Sequence, residues 1–244
     1  MFVGVDRGRL LTAEIMSVED LGNCDAIIDR AAEIIRSGGL VVYPTDTSYG
    51  LGCDPRNPEA MDRLIAVKRR DRRLGVPLLF ADLTQCEIYH DFGSLEKIIA
   101  KIFWPGQLTL IVTPTPSVPE HITADRNSVA IRVPNHIIPR GIAHRIGGPI
   151  VGTSANRSHG PTPFDVSDAL DQLGNEVDLY IDAGPSSSSD NSTIIGVEGS
   201  GEGETLNIKI YREGALSTDI ISESLKVDSD ALRVWTTRFV FTDM

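Results

Sequence analysis

Apolar positions along the chain recur at two spacings that take turns. Between residues 23 and 36, Ile27, Ala31, Ile34 and Ile35 fall at helical intervals, and the pattern stops at Gly38, a residue suited to the left-handed turn that ends helices. Leu40, Val41, Val42 and Tyr43 then form a short apolar block that predicts a buried strand. Pro44 closes it, having no N–H to give to a ladder. Asn57 and Pro58 suit the N-cap and first turn of a helix with Met61, Leu64 and Ile65 facing inward. Further strands are expected at 76–80, 108–112, 128–133, 149–152 and 177–181. Helices are expected from Ser94, with Leu95, Ile98, Ile99 and Ile102 inward, over 137–146, where Pro139 is tolerable near the start, and over 165–174. Residues 192–197 and 206–211 read as paired strands joined by the solvated Gly/Glu turn 198–205. After Gly214 come a weak helix and an edge strand within 232–241. This alternation predicts an α/β domain with no internal repeat.

Polar residues collect where the strands stop. Thr45, Asp46, Thr47 and Ser48 follow Pro44, and Gly50 and Gly52 let the backbone turn tightly there. A second such loop runs over 153–162 and a third, rich in serine, over 184–191. Each reads equally well as a plain turn with satisfied hydroxyls or as a cradle for ligand oxygens. Two cationic features tip the balance toward an anion. Lys68, Arg69, Arg70, Arg72 and Arg73 crowd the end of one helix, more charge than the helix dipole asks for. Arg132 sits among apolar neighbours, where a guanidinium needs an anionic partner or several acceptors, unless it stands exposed on the strand face.

Composition then removes whole classes. The 244 residues carry a formal charge of −11, which argues against wholesale binding of nucleic acid while leaving room for a local basic patch. No apolar run approaches the roughly 20 residues a bilayer span needs, and Asp6, Arg7, Arg9 and Glu14 interrupt any secretory leader, so a cytoplasmic protein is expected. The three cysteines, Cys24, Cys53 and Cys86, and the five histidines are scattered, so neither a disulfide framework nor a metal-ligand set is read. Neither the GxxxxGK[ST] nor the complete GxGxxG phosphate loop occurs. On residues alone, the chain is an α/β domain whose polar loops and basic cluster can jointly bind an anionic small molecule.

Six segments add a resemblance. Tyr43-Pro44-Thr45-Asp46-Thr47-Ser48-Tyr49-Gly50, Lys68-Arg69-Arg70, Trp104-Pro105-Gly106-Gln107, Ser128-Val129-Ala130-Ile131-Arg132, Thr153-Ser154-Ala155-Asn156 and Tyr211-Arg212-Glu213-Gly214 stand in the order of the motifs of the YrdC/Sua5 family of threonylcarbamoyl-AMP synthases. The resemblance implies a YrdC-like twisted mixed sheet flanked by helices around a large concave basic cavity. It also implies a domain over 23–217, with an N-terminal extension (1–22) and a C-terminal tail (218–244) too short for the extra domain of long Sua5 members. The implied enzyme is a nucleotidyltransferase that joins L-threonine, bicarbonate and ATP, with Mg²⁺, into threonylcarbamoyl-AMP and pyrophosphate. A downstream threonylcarbamoyl-transferase complex would then modify tRNAs, with direct tRNA binding weak at most.

Carried onto this chain, the motifs make Thr47, Arg132 and Gly152 the L-threonine side. Lys68, Arg70, Ser128, Ser154, Asn156, Thr162 and Arg212 become the ATP side, with Lys68 and Arg70 the catalytic cations and Arg69, Arg72 and Arg73 peripheral. Two features depart from the family pattern: the stretch from Lys68 to Pro77 is longer, and Ala81 stands where many members have a histidine. The alternatives are a non-catalytic RNA-binding module working through the basic cavity and a YciO-like paralogue.

Overall fold

A computed structural model of the chain describes residues 13–116, 118–123, 126–199, 206–227 and 238–241. In chain order, β1 (Glu14–Ser17) leads to α1 (Asp25–Arg36), β2 (Val41–Tyr43), β3 (Gly50–Gly52), α2 (Pro58–Lys68), β4 (Leu78–Leu79) and the short α3 (Leu83–Cys86). Then follow α4 (Ser94–Phe103), β5 (Leu108–Val112), the short α5 (Glu120–Thr123), β6 (Val129–Arg132), α6 (Ile137–Ile146), β7 (Ile150–Val151) and β8 (Thr153–Ser154). The chain continues through α7 (Val166–Leu173), β9 (Leu179–Asp182), β10 (Thr193–Glu198), β11 (Asn207–Arg212), α8 (Thr218–Val227) and β12 (Arg238–Phe241).

The strands form two mixed sheets, one of five strands ordered β1-β9-β2-β3-β8 and one of seven ordered β12-β11-β10-β5-β6-β4-β7. The alternating helices and strands of the sequence thus give a mixed α/β fold. Strand β1 lies within the stretch read as an N-terminal extension, yet it pairs in parallel with β9 and belongs to the five-stranded sheet. The carboxyl end is likewise integrated: Ile221 and Leu225 of α8 are buried in the main core, and β12 pairs in parallel with β11. Of the edge strand expected within 232–241, only 238–241 falls in the described residues. The 198–205 turn also lies largely outside them.

Most helices match their sequence signals. Asn57 caps α2 by accepting from Glu59 N and Ala60 N at 3.1 Å, and Pro58 occupies the first turn. The buried stripe of α1 is Ile28, Ala31, Ala32 and Ile35, one residue around from the expected Ile27 and Ile34, because the helix packs on both α6 and the sheet. Ile102 of α4 is exposed, and Ala100 takes an inward position with Leu95 and Ile99.

The sequence pattern missed β3, since Gly50 and Gly52 read as turn residues. The ring of Tyr43 lies across this strand: a Cβ on Gly50 would stand 2.6 Å from Tyr43 Cε2, and one on Gly52 would stand 2.5 Å from Val151 O. Glycine is required at both positions by close approach. The Tyr43 hydroxyl donates to Val151 O at 2.6 Å, so the strand end that carries Thr45 to Ser48 is fixed to β7.

Candidate active site

A cavity of about 340 Å³ opens between the sheets, within the size range of small-molecule sites. The five-stranded sheet contributes the β2–β3 turn (Thr45, Thr47, Ser48) and Thr153 and Ser154 of β8. The seven-stranded sheet contributes Leu79, Thr109, Ile111, Val129, Ala130, Arg132, Ile194 and Arg212, and loops add Arg70, Arg126, Ser128, Gly152, Asn191 and Ser192. Seven of the residues singled out from the sequence, Thr47, Arg70, Ser128, Arg132, Gly152, Ser154 and Arg212, therefore share one cavity.

Arg132 organises one region of it. The side chain is buried, and its guanidinium donates to Gly106 O at 2.8 Å, Thr47 Oγ1 at 2.8 Å and Asp46 Oδ1 at 2.5 Å. The strand-face arginine of the sequence reading is thus the buried case, with its anion supplied by Asp46. Burial lowers the proton affinity of Arg132, and the Asp46 carboxylate works against that shift. The other Asp46 oxygen, Oδ2, is buried without a hydrogen-bond partner among the described residues, so its desolvation is offset only by the arginine charge. Thr47 is positioned independently: Thr45 Oγ1 accepts from Thr47 N at 3.0 Å and meets Thr47 Oγ1 at 3.1 Å, while Gln107 Nε2 donates to Asp46 O at 2.8 Å. Gly152 packs so tightly on Leu79 that a Cβ would lie 2.3 Å from Leu79 Cγ.

The basic cluster divides into members with different surroundings. Arg69 is the left-handed C-cap of α2 and is exposed. Arg72 and Arg73 point outward into ion pairs with Asp62 and Asp71, both at 2.6 Å. Arg70 turns into the cavity, held by Leu74 O and Gly75 O. Lys68 is buried and is not among the lining residues; its ammonium donates to Ser154 O and to Asn156 O at 2.6 Å. Burial, and after it the Arg70 charge, push the Lys68 ammonium down to about 7.

Asn156 and Thr162 also stand behind the wall. Asn156 Oδ1 accepts from Ser154 Oγ at 2.5 Å, and its amide donates to Gly160 O at 2.8 Å. Thr162 Oγ1 accepts from Asn191 Nδ2 at 3.2 Å, and Asn191 Oδ1 accepts from Ser48 Oγ at 3.1 Å. These residues orient lining groups. Arg212 donates to Ser192 O at 2.8 and 3.0 Å, and its proton affinity is lowered by burial and by the charge of Arg132. Among the described residues, Arg70, Arg126 and Arg212 make no ion pair with a carboxylate.

Sequence reasoning did not single out Thr109, Asn191, Ser192 or Arg126. Ser192 and Thr109 hydroxyls meet at 2.9 Å across β10 and β5, a pairing between residues far apart in the chain that no local pattern encodes. Ala81, which the motif spacing sets at the place of the family histidine, does not line the cavity, whereas Leu79 does. Among the described residues no cluster of three or more His, Cys, Asp or Glu could hold a metal ion, and no helix is long and apolar enough to cross a membrane.

Comparison with known proteins identifies the family. The Sua5/YciO/YrdC family model, described as "Telomere recombination", matches residues 33–214. A threonylcarbamoyl-AMP synthase of Cellvibrio japonicus is 35% identical over 152 residues, 62% of this chain and 80% of the relative. Sua5 of P. abyssi, solved in complex with L-threonine, superimposes with a TM-score of 0.77 at 26% identity over 93% of this chain, which spans 62% of that longer protein. E. coli YciO superimposes with a TM-score of 0.71 at 27% identity, covering 83% of this chain and 95% of its own. The cavity-lining residues, from Thr45 to Arg212, all lie within the matched range, and this chain belongs to the Sua5/YciO/YrdC family.

Proposed function

We propose that this protein is an L-threonylcarbamoyladenylate synthase, a nucleotidyltransferase joining L-threonine, bicarbonate and ATP into threonylcarbamoyl-AMP, pyrophosphate and water. The observation that carries the reading is the pairing of two kinds of arginine in one cavity: Arg132, neutralised by Asp46 and bonded to Thr47, and Arg70 and Arg212, which have no carboxylate partner among the described residues. The first kind suits an amino acid, the second a polyphosphate.

In the reaction, the threonine amine attacks the bicarbonate carbon, water is lost, and a carbamate forms. A carbamate oxygen then attacks the α-phosphorus of ATP; the new P–O bond forms as the bond to pyrophosphate breaks. Two anions must meet, so positioning and charge neutralisation dominate the catalysis. Arg132 retains N–H donors of its planar group for the threonine carboxylate, while Thr47 Oγ1 sits beside it. Gly152 and Leu79, packed closely on each other, give the cavity an apolar wall suited to a threonine methyl. Arg70, Ser128, Ser154 and Arg212 face the nucleotide. Lys68, Asn156 and Thr162 act from behind: they fix the 154–156 segment and Asn191, and Lys68 in its protonated form adds a buried positive charge close to that segment. Among the described residues the cavity lining includes no carboxylate, which does not fit a metal held by protein ligands. Mg²⁺ is therefore assigned as the companion of the ATP phosphates, and no step runs through it.

The product would pass to a threonylcarbamoyl-transferase complex acting on tRNA in the cytoplasm, with only weak binding of tRNA by this chain. Incubation with ATP, bicarbonate and labelled L-threonine tests the reading. Label co-migrating with threonylcarbamoyl-AMP, with pyrophosphate released and bicarbonate required, is expected. Pyrophosphate release that is independent of threonine and bicarbonate, or no product at all, overturns it.

A further inference from the structure

Two loops that meet beside the cavity hold a second cation that no sequence motif marked. Residues 73–76 bond to Ile122 and to Arg126: Val76 N donates to Ile122 O at 3.3 Å, and Arg126 Nη2 donates to Arg73 O at 2.9 Å. Gly75 and Ile122 also touch directly, since a Cβ on Gly75 would stand 3.1 Å from Ile122 O. The contact brings Arg126 to the same cavity as Arg70. Both guanidiniums rest on backbone carbonyls of one loop, Arg70 on Leu74 and Gly75, Arg126 on Arg73. Neither has a carboxylate partner among the described residues, although Arg72 and Arg73 next to them do.

We infer that Arg126 is a phosphate-binding residue that, together with Arg70, grips the β- and γ-phosphates of ATP, the part that leaves as pyrophosphate. Two guanidiniums at one cavity without a carboxylate partner among the described residues, in a protein of net charge −11, suit a ligand bearing several negative charges in a small volume. Their place relative to Arg132 selects the distal phosphates. Arg70 and Arg126 are anchored on the carbonyls of residues 73–75, whereas Arg132 is anchored on Gly106, Asp46 and Thr47 and Arg212 on Ser192, so the four arginines hang from two separate sets of segments. In keeping with this, the charge of Arg132 acts on Arg212 and that of Arg126 on Arg70. The α-phosphorus must lie beside the carbamate, hence with Arg132 and Arg212, and the chain of phosphates then runs on to Arg70 and Arg126. The inference rests on ATP being the nucleotide substrate.

Titration calorimetry on the wild type, Arg126→Ala and Arg126→Lys, with pyrophosphate, AMP and ATP as separate probes in the presence of Mg²⁺, tests it. Arg126→Ala should weaken pyrophosphate and ATP by about ten- to a hundredfold, leaving AMP and L-threonine within about twofold. Arg126→Lys should retain part of the pyrophosphate affinity, and because Arg126 is exposed, both variants should keep the wild-type denaturation midpoint. Equal weakening of AMP and ATP, unchanged pyrophosphate binding in Arg126→Ala, or no pyrophosphate binding by the wild type would each overturn it. Product formation separates this inference from the activity. A wild type that binds pyrophosphate through Arg126 but makes no threonylcarbamoyl-AMP leaves the subsite standing and the synthase reading refuted. Product formation with pyrophosphate binding indifferent to Arg126 does the reverse.

Discussion

Arg132 and Arg70 line one cavity, yet the protein treats their charges differently. Arg132 is buried and neutralised from within: Asp46 takes its charge and one N–H, Thr47 and Gly106 take two more of its five N–H groups, and the group is fixed in orientation before any ligand arrives. Arg70 is anchored only through carbonyl oxygens and keeps its net charge. The difference separates recognition from attraction. A small zwitterion such as an amino acid carries no net charge, so selecting it calls for fixed donors and acceptors. A polyphosphate carries a large charge, and unneutralised arginines serve it best.

The largest effect expected is at the neutralised end. Arg132→Ala leaves Asp46 buried and unpaired, which should cost about 3 to 5 kcal/mol of stability in denaturant unfolding, along with L-threonine binding. A loss below about 1 kcal/mol would mean that the pair is solvated and the contrast between the two ends false. Arg70→Ala should leave the unfolding midpoint in place and lower kcat/KM for ATP by roughly 10- to 150-fold, the value of a charged hydrogen bond to phosphate.

Lys68 offers a subtler test, read in pH. Its ammonium is held down to about 7 in the folded protein, against 10.5 when unfolded. The unfolded chain therefore binds that proton more tightly, so the burden Lys68 places on stability is full below about 7 and relieved as pH rises toward 10.5. The difference in unfolding free energy between wild type and Lys68→Met should vary across that window; a constant difference would show an ordinary, solvated lysine. The smallest effect is expected for Arg73→Ala, whose partner is the exposed Asp71: kcat/KM for ATP should change by less than about twofold. Equal losses for Arg70→Ala and Arg73→Ala would reduce the whole cluster to a diffuse field.

Much of this arrangement was legible in the sequence, and the limits have physical causes. Apolar periodicity located β2, β5, β6, α2, α4 and α6 within a residue or two, because those elements bury a stripe or a block on their own. Strands β3 and β8 escaped because they are short and polar or glycine-rich, and exist only through pairing with Tyr43 and with each other. The motifs brought Thr47, Arg70, Ser128, Arg132, Gly152, Ser154 and Arg212 to the cavity. They did not reveal that Lys68, Asn156 and Thr162 lie outside the cavity lining and bond to the segments behind it, since a motif records which residue is present and not where its side chain bonds. Nor could they show that Asp46, 86 residues earlier, is the anion for Arg132. Arg126 was invisible for a related reason: it lies outside the motifs, and its bond to Arg73 O joins residues far apart in the chain.

The division of the cavity into two ends is tested most directly by measuring L-threonine and ATP binding on the same pair of variants, Thr47→Val and Arg70→Ala. The account predicts a crossed result: Thr47→Val weakens L-threonine and leaves ATP within about twofold, while Arg70→Ala weakens ATP about tenfold or more and leaves L-threonine unchanged. Loss of both ligands to the same extent in both variants would contradict it.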